Sequence, residues 1–296
     1  MNFAEAEQRL MTSTGVALIS ERLNLNGYDI HYVKAGTGAP LLLLHGANIG
    51  WGGWYKNIAA LAEHHTVYAL DLPGCGDSTK VAFRNLDLKH AFVKTIQDFI
   101  ARLDLKNIAL VGHSIGGWIA LSLVLHDPSR FRNMTLIDSI GFTKYIPWRF
   151  KPAAYYPLAA LIAKTAIPPT RDGMREFITS VMFEKTAAED VFIDYYYESV
   201  VRDFVTHPLM LINRLFGWTS FRDEFFLRPQ FSKMQCPTLI LAGDHDALVP
   251  YEKVADGFRE ISSAKSNIIK DTGHVPFLER PQIFNEILLR WLNEQH

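Results

Sequence analysis

The segment Val111-Gly112-His113-Ser114-Ile115-Gly116-Gly117 holds the pattern G-x-S-x-G directly after an apolar run and directly before a helical stretch. A tight strand-to-helix turn of this kind pushes the serine into a strained backbone conformation with its hydroxyl exposed, while the glycines let neighbouring segments approach. The helix that follows aims its free N–H groups at a reacting oxygen. On the order of 0.1 chance matches to the pentapeptide are expected in a chain this long. A serine hydroxyl attacks carbon effectively only when a base takes its proton and an acid orients that base. Two later segments supply such groups. Asp271-Thr272-Gly273-His274-Val275-Pro276 puts His274 on a loop after a strand-like run, and Gly243-Asp244-His245-Asp246 follows the preceding strand with two acids.

These residues need a scaffold that gathers loop ends. Short β-rich runs at 28–35, 40–45, 66–71, 107–112 and 134–138 alternate with amphipathic stretches at 54–63, 90–103 and 116–126. Strands spaced by helices imply crossover connections and a mostly parallel sheet. Leu41-Leu42-Leu43-Leu44 and Ile108-Ala109-Leu110-Val111 are apolar without alternation, as expected for strands covered on both faces. The alternation resumes with strands at 238–242 and 267–271 and helices at 251–261 and 281–293. In such a sheet, ligand sites gather at the carboxyl ends of the strands.

Between the halves the texture changes. Residues 139–230 hold 18 of the 36 aromatic residues in under a third of the chain, and the pattern there is helical, as at 171–182 and 188–204. This predicts a helical cap inserted into an α/β core, with core at 1–138 and 231–296. Three adjacent tyrosines, Tyr195, Tyr196 and Tyr197, cannot share one helix face, so part of this aromatic content builds a second core. The rest is expected to line a pocket under the cap, where apolar clefts at domain junctions bind small ligands.

Composition excludes several alternatives. The 296 residues are 48% hydrophobic and 21% charged, enough apolar surface for a sizeable core. Thirty Lys plus Arg against 31 Asp plus Glu leave a formal charge of −1, without the basic excess that nucleic-acid binding needs. Cys75 and Cys236 lie far apart and form no C-x-x-C pair, so two reduced thiols in a cytoplasmic protein are expected. The first 14 residues lack the basic start and apolar run of a secretory signal. The richest apolar stretch, 153–167, is interrupted by Lys164 and followed by Pro168 and Pro169, too short for a bilayer span. The histidines show no metal-ligand spacing, and the glycine pairs lack the completed phosphate-binding patterns. No metal and no cofactor are expected, and oligomeric state is not readable.

The chain resembles the alpha/beta-hydrolase superfamily, specifically its capped esterase, C–C hydrolase and epoxide-hydrolase-like branch, over nearly its whole length. The resemblance rests on His45-Gly46 after a strand, Asp71-Leu72-Pro73-Gly74-Cys75-Gly76-Asp77-Ser78, the Gly112 to Gly117 elbow, the Gly243 to Asp246 loop, and Gly273-His274-Val275-Pro276 with Glu279 and Pro281. It implies the alpha/beta-hydrolase fold, a mostly parallel twisted sheet with helices on both faces and an inserted helical cap. It also implies the chain order Ser114, Asp246, His274, with the acid on the third residue after Gly243 and Asp244 structuring the loop. Asp138, at the end of an earlier strand, is the alternative acid. The oxyanion hole implied is the backbone N–H of Ile115 with that of Ala47. Asn48 adds either a side-chain donor or a turn. Phe142 and Trp148 are the cap residues expected to touch substrate, and His45 and His113 are expected to be structural.

A serine at the elbow, where carbon-displacing relatives carry aspartate, argues for acyl chemistry. The leading expectation is a serine hydrolase acting on a small apolar or aromatic carboxylic ester. C–C bond hydrolysis of ring-cleavage products is the first alternative, weakened because Val275 follows the histidine and the loop reads His45-Gly46-Ala47-Asn48-Ile49-Gly50 rather than HGGGPG. Thioesterase and perhydrolase activities follow, and a small-molecule receptor of the same fold is the alternative of a different class.

Overall fold

The computed structural model describes residues 1–200 and 207–294. In chain order the elements are α1 (Phe3–Ser13), β1 (Ile19–Leu25), β2 (Tyr28–Ala35), β3 (Ala39–Leu44), α2 (Ile58–Ala62), β4 (His65–Leu70), α3 (Thr95–Arg102), β5 (Ile108–His113), α4 (Ile115–His126) and β6 (Phe131–Ile137). They continue as α5 (Tyr156–Thr165), α6 (Arg171–Thr179), α7 (Asp190–Val200), α8 (Pro208–Leu215), β7 (Thr238–Gly243), α9 (Tyr251–Phe258), β8 (Ala264–Ile269), α10 (Pro276–Glu279) and α11 (Pro281–Glu294).

The strands form one eight-stranded sheet in the order β1-β2-β4-β3-β5-β6-β7-β8. β1 and β2 join antiparallel, and from β4 onward every pairing is parallel. Parallel neighbours need crossover connections, and helices supply them on both sides of the sheet. The unbroken leucine run of β3 shows why. Leu42 and Leu44 enter one core with α3, α4, α5 and α8, while Leu41 and Leu43 enter a second with α1, α2, α7 and α11. A strand wetted on neither face has no position at which a polar residue would be stable. Because β3, β5, β6, β7 and β8 run the same way, the loops after Leu44, His113, Ile137, Gly243 and Ile269 emerge along one edge of the sheet.

Two elements lie outside the expected runs. β1 is an edge strand with residues Ile19 to Arg22 exposed, so its pairing with β2 is made by backbone hydrogen bonds rather than by buried side chains. α1 starts with a capping box between Asn2 and Glu5 and buries Phe3, Ala6 and Leu10. The helix expected at 90–103 is two elements, a wider π-type turn over Lys89–Lys94 that leads into α3. β8 begins three residues before the expected run. Helices α5 to α8 occupy the connection between β6 and β7. The last four residues of the stretch expected as helix at 188–204 lie outside the described residues.

Candidate active site

Ser114 joins β5 to α4 with φ 54° and ψ −115°, a conformation that costs a non-glycine residue about 1–3 kcal/mol. The turn is over-determined by its neighbours. A Cβ on Gly112 would stand 2.4 Å from the Gly116 carbonyl oxygen, and one on Gly116 would stand 2.2 Å from that of Leu44. Both contacts are with backbone, so β3, β5 and α4 approach this closely only because both positions are glycine. The Ser114 N–H donates to the Ile137 carbonyl at 2.9 Å, tying the turn to the end of β6. Intrahelical bonding starts when Gly117 N–H donates to the Ser114 carbonyl at 3.0 Å, which leaves the Ile115 N–H ahead of the first turn.

His274 follows β8 and Asp246 follows β7. His274 Nδ1–H donates to Asp246 Oδ2 at 2.8 Å with both side chains buried. The other carboxylate oxygen, Asp246 Oδ1, accepts from the Leu248 and Val249 N–H groups at 2.7 and 3.0 Å. Burial is the strongest influence on this carboxyl and would raise it, but His274 and the two amides outweigh it and hold it below the ordinary carboxylate range. Asp138 adjoins the pair. Its Oδ1 accepts from the Gly243 N–H at 3.1 Å, and burial together with the Asp246 charge pushes its carboxyl well above the ordinary range. Asp138 therefore favours its neutral form, while Asp246 carries the charge and holds the imidazole. Asp244 accepts from Thr272 N–H at 3.3 Å and lies against His245 and Lys270, on the outer part of the loop.

Two further histidines brace these loops. His113 Nε2–H donates to the His274 carbonyl at 2.7 Å, and burial beside His274 keeps its ring neutral. His45 Nδ1–H donates to the Gly46 carbonyl at 2.5 Å while Nε2 accepts from Leu72 N–H at 3.0 Å, linking the loops after β3 and β4. With both nitrogens engaged and burial lowering its basicity, His45 is a scaffold residue. Buried Glu279 has the same character. Its Oε1 accepts from Gly273 N–H at 2.9 Å and its Oε2 from Phe183 and Glu184 N–H at 2.8 Å each. It thereby ties the His274 loop to the segment after α6, a contact reinforced by His274 N–H donating to the Val181 carbonyl at 2.8 Å. A glutamate six residues past Gly273 was visible in the sequence, but its three amide partners were not.

Ser114, His274 and Ala47 share the wall of a cavity of about 230 Å³. The rest of that wall is mainly apolar, with Phe150, Ile162, Phe177, Ile212 and Phe216 supplied by the connection between β6 and β7. Phe142 and Trp148, the two residues of this connection expected to touch substrate, are not in the wall. Phe142 is fully buried between Phe231 and Phe258, with ring centroids 4.8 and 4.9 Å away, because the chain folds back onto α9 as it leaves β6. Trp148 is 80% exposed at the start of an outward turn. Asn48 is buried with φ 58° and is likewise absent from the wall, which makes it the turn residue of the loop after β3. The adjacent tyrosines also lie elsewhere. Tyr195 packs on Phe3 and Trp51, and Tyr196 stacks on Phe192.

Among the described residues, two clusters bring three potential metal donors together, Glu7 with His31 and Asp71, and Asp138 with Asp246 and His274. In each, an imidazole Nδ1–H already donates to a carboxylate, at 2.7 Å from His31 to Asp71 and at 2.8 Å from His274 to Asp246. Cys75 and Cys236 are free and buried, and burial pushes the Cys75 thiol up to about 12, away from nucleophilic use. No helix among the described residues is long and apolar enough to cross a membrane.

Comparison with known proteins places this architecture. The model of the alpha/beta hydrolase fold matches residues 39–281. The 2-hydroxy-6-oxo-6-(2'-aminophenyl)hexa-2,4-dienoic acid hydrolase of Metapseudomonas resinovorans is 25% identical over 284 residues, covering 94% of this chain and 92% of the relative. Among solved structures, a bacterial membrane phospholipase A superposes with a TM-score of 0.81 at 22% identity, covering 99% of this chain and 91% of that one. Carboxylesterase CesB of Bacillus subtilis gives 0.76 at 20% identity, covering 98% and 96%. With its eight-stranded, mostly parallel sheet and a family match over most of its length, the chain belongs to the alpha/beta hydrolase fold family and is a hydrolase.

Proposed function

We propose that the chain hydrolyses carboxylic esters with an apolar or aromatic acyl part through an acyl-enzyme on Ser114, under a cap formed by residues 139–230. The observation that carries this reading is the 2.8 Å hydrogen bond from His274 to Asp246 at the wall of an apolar cavity that also holds Ser114. A buried carboxylate fixes the imidazole with its proton on Nδ1, so Nε2 is left to accept the serine proton.

In this mechanism Ser114 Oγ attacks the ester carbonyl carbon as its proton passes to His274 Nε2. The N–H groups of Ala47 and Ile115 bind the oxyanion. Collapse of the tetrahedral intermediate breaks the carbon–oxygen bond, and His274 returns the proton to the leaving alcohol. Water then attacks the acyl-serine, again giving its proton to His274, and the acid leaves with the Ser114 hydroxyl restored. Asp246 remains ionised throughout and stabilises the transient imidazolium. The apolar wall excludes water and selects apolar acyl groups.

The dienoic acid hydrolase relative supports a second reading, C–C bond cleavage by the same serine. A dienoic acid brings a carboxylate, which needs a polar partner when buried. Among the described residues the only cation in the cavity wall is Arg149, which is exposed at its edge, and this favours the uncharged ester.

The test is turnover of p-nitrophenyl acetate and butyrate by purified protein, with labelling of Ser114 by a fluorophosphonate. Turnover that disappears in Ser114→Ala is expected. Absence of turnover, of a burst and of labelling would sink the ester reading and favour a receptor. Cleavage of a 2-hydroxy-6-oxo-dienoate faster than of any ester would favour the C–C reading.

A further inference from the structure

Residues 139–170 contain Lys144, Arg149, Lys151 and Lys164 and no aspartate or glutamate, in a chain whose formal charge is −1. The outer side of this stretch mixes these exposed cations with exposed apolar side chains. Trp148 is 80% exposed, and Tyr155, Leu158 and Leu161 are 49%, 37% and 54% exposed. Trp218, from the connection after α8, is 79% exposed and stacks on Tyr155 with ring centroids 5.7 Å apart. Two separate chain segments thus build one surface. Its inner side is ordinary interior, since Ala159 and Ala163 of α5 are fully buried and Phe150, Ala153 and Ile162 line the active-site cavity. Arg149 is both exposed and part of the cavity wall, so the surface adjoins the cavity edge.

Scattered apolar side chains on a protein surface need no explanation, but Tyr155, Leu158 and Leu161 at three-residue spacing, with Trp218 of a second segment stacked on Tyr155, form a patch that does. Tryptophan and tyrosine between lysines and arginines match the boundary of a lipid bilayer, where rings sit at headgroup depth and cations meet phosphate. Two of the four cations are available for that purpose. Lys144 pairs with the exposed Asp223, but among the described residues Arg149 and Lys151 enter no ion pair. A second copy of the chain is a poorer occupant, because a two-fold interface through this face would bring like-charged groups together.

We propose that this face docks peripherally on an anionic phospholipid bilayer, with Trp148, Trp218 and Leu161 entering the headgroup region and Arg149 and Lys151 meeting lipid phosphate. The inference is independent of the reaction and is tested in the Ser114→Ala background. Co-sedimentation is measured with vesicles of phosphatidylcholine alone and with about one-third phosphatidylglycerol. Expected are binding to the anionic vesicles at least about tenfold tighter than to the neutral ones and loss of most of that advantage in about 0.5 M salt. Trp148→Ser with Trp218→Ser is expected to lower the partition coefficient at least about tenfold. Arg149→Gln with Lys151→Gln keeps the apolar surface intact, serves if the first variant does not fold, and is expected to lower binding to anionic vesicles about tenfold or more. Failure to bind either vesicle, equal binding to both, or unchanged binding by the folded variants overturns the proposal. A vesicle-free dimer that the tryptophan substitutions dissolve also overturns it, since a second copy would then cover the face.

Discussion

Asp246→Asn separates two contributions that a carboxylate beside a catalytic imidazole makes, its charge and its hydrogen-bond acceptance. The structure dictates how the replacement must sit. Asp246 Oδ1 accepts from two amides, Leu248 and Val249, so the amide oxygen of the new side chain keeps that place, where an NH₂ group would face two donors. Its nitrogen then faces His274 Nδ1, where the carboxylate had accepted at 2.8 Å. Two donors cannot share one bond, so His274 moves its proton to Nε2, and that nitrogen can no longer accept from Ser114. The charge is lost only in part. Asp138 keeps the larger cause of its neutral form, burial, and loses the second, the Asp246 charge; one of its oxygens lies within 4.8 Å of a His274 nitrogen. At that distance whatever fraction of Asp138 ionises stabilises the imidazolium by about 3 kcal/mol at an effective dielectric constant of about 20. Charge is partly replaceable here and tautomer is not, so the tautomer decides the outcome. The expected loss in kcat on p-nitrophenyl butyrate is about 10⁴-fold, or about 5 kcal/mol. Asp138→Asn alone is expected to cost less than about tenfold, and adding it to Asp246→Asn to lower the residue of activity further. An Asp246→Asn protein retaining more than about a tenth of wild-type kcat would refute the tautomer argument.

The strained turn at Ser114 implies that Ser114→Gly unfolds at a higher temperature than Ser114→Ala, by about 1 kcal/mol after the extra unfolded-state entropy of glycine is subtracted; equal thermal midpoints would remove the strain from the account. Glu279→Gln sets an NH₂ group against one of the three amides that Glu279 accepts from, and should destabilise by about 1–3 kcal/mol while lowering kcat through displacement of the His274 loop; a variant with wild-type midpoint and rate would show that Glu279 is dispensable. His207 donates from Nε2 to the Ile167 carbonyl at 3.1 Å and accepts at Nδ1 from Leu209 N–H at 3.2 Å, so only the neutral ring fits, and burial pushes it down to about 4. Because its folded value lies below its unfolded one, stability is full above about pH 6.5 and falls as pH drops toward 4, by about 3 kcal/mol in all; a pH-dependence of the thermal midpoint unchanged in His207→Gln would contradict this.

How much of this was legible beforehand depended on the range of the interactions involved. The uninterrupted apolar runs at 41–44 and 108–111 announced buried parallel strands, because a strand covered on both faces tolerates no polar side chain. Gly112, Ser114 and Gly116 announced the elbow, because contacts of 2.2–2.4 Å to backbone leave no room for any other residue at the two glycines. These are local demands, written at the positions that meet them. β1 was hidden because an exposed edge strand buries little and leaves little pattern. The choice of Asp246 over Asp138 came from the family resemblance and not from the residues alone, because both follow strands at the same edge; in the structure the Leu248 and Val249 amides and the reach to His274 distinguish them.

The residues around the cavity illustrate the division most plainly. Concentration of half the aromatic residues in 139–230 was a compositional fact, but it could not say which rings face the cavity. Phe150 and Phe216 do, Phe142 is buried against α9, and Trp148 faces outward. Residue type and spacing alone pointed to the elbow turn and the parallel core, since each follows from chain geometry within a few residues, and named His274 as the candidate base. Which acid meets the imidazole was decided by the pairing of β7 with β8, which sets their loops side by side; which rings form the wall and which form an outer surface was decided by helices from distant parts of the chain packing against one another, and no local rule encodes their mutual orientation.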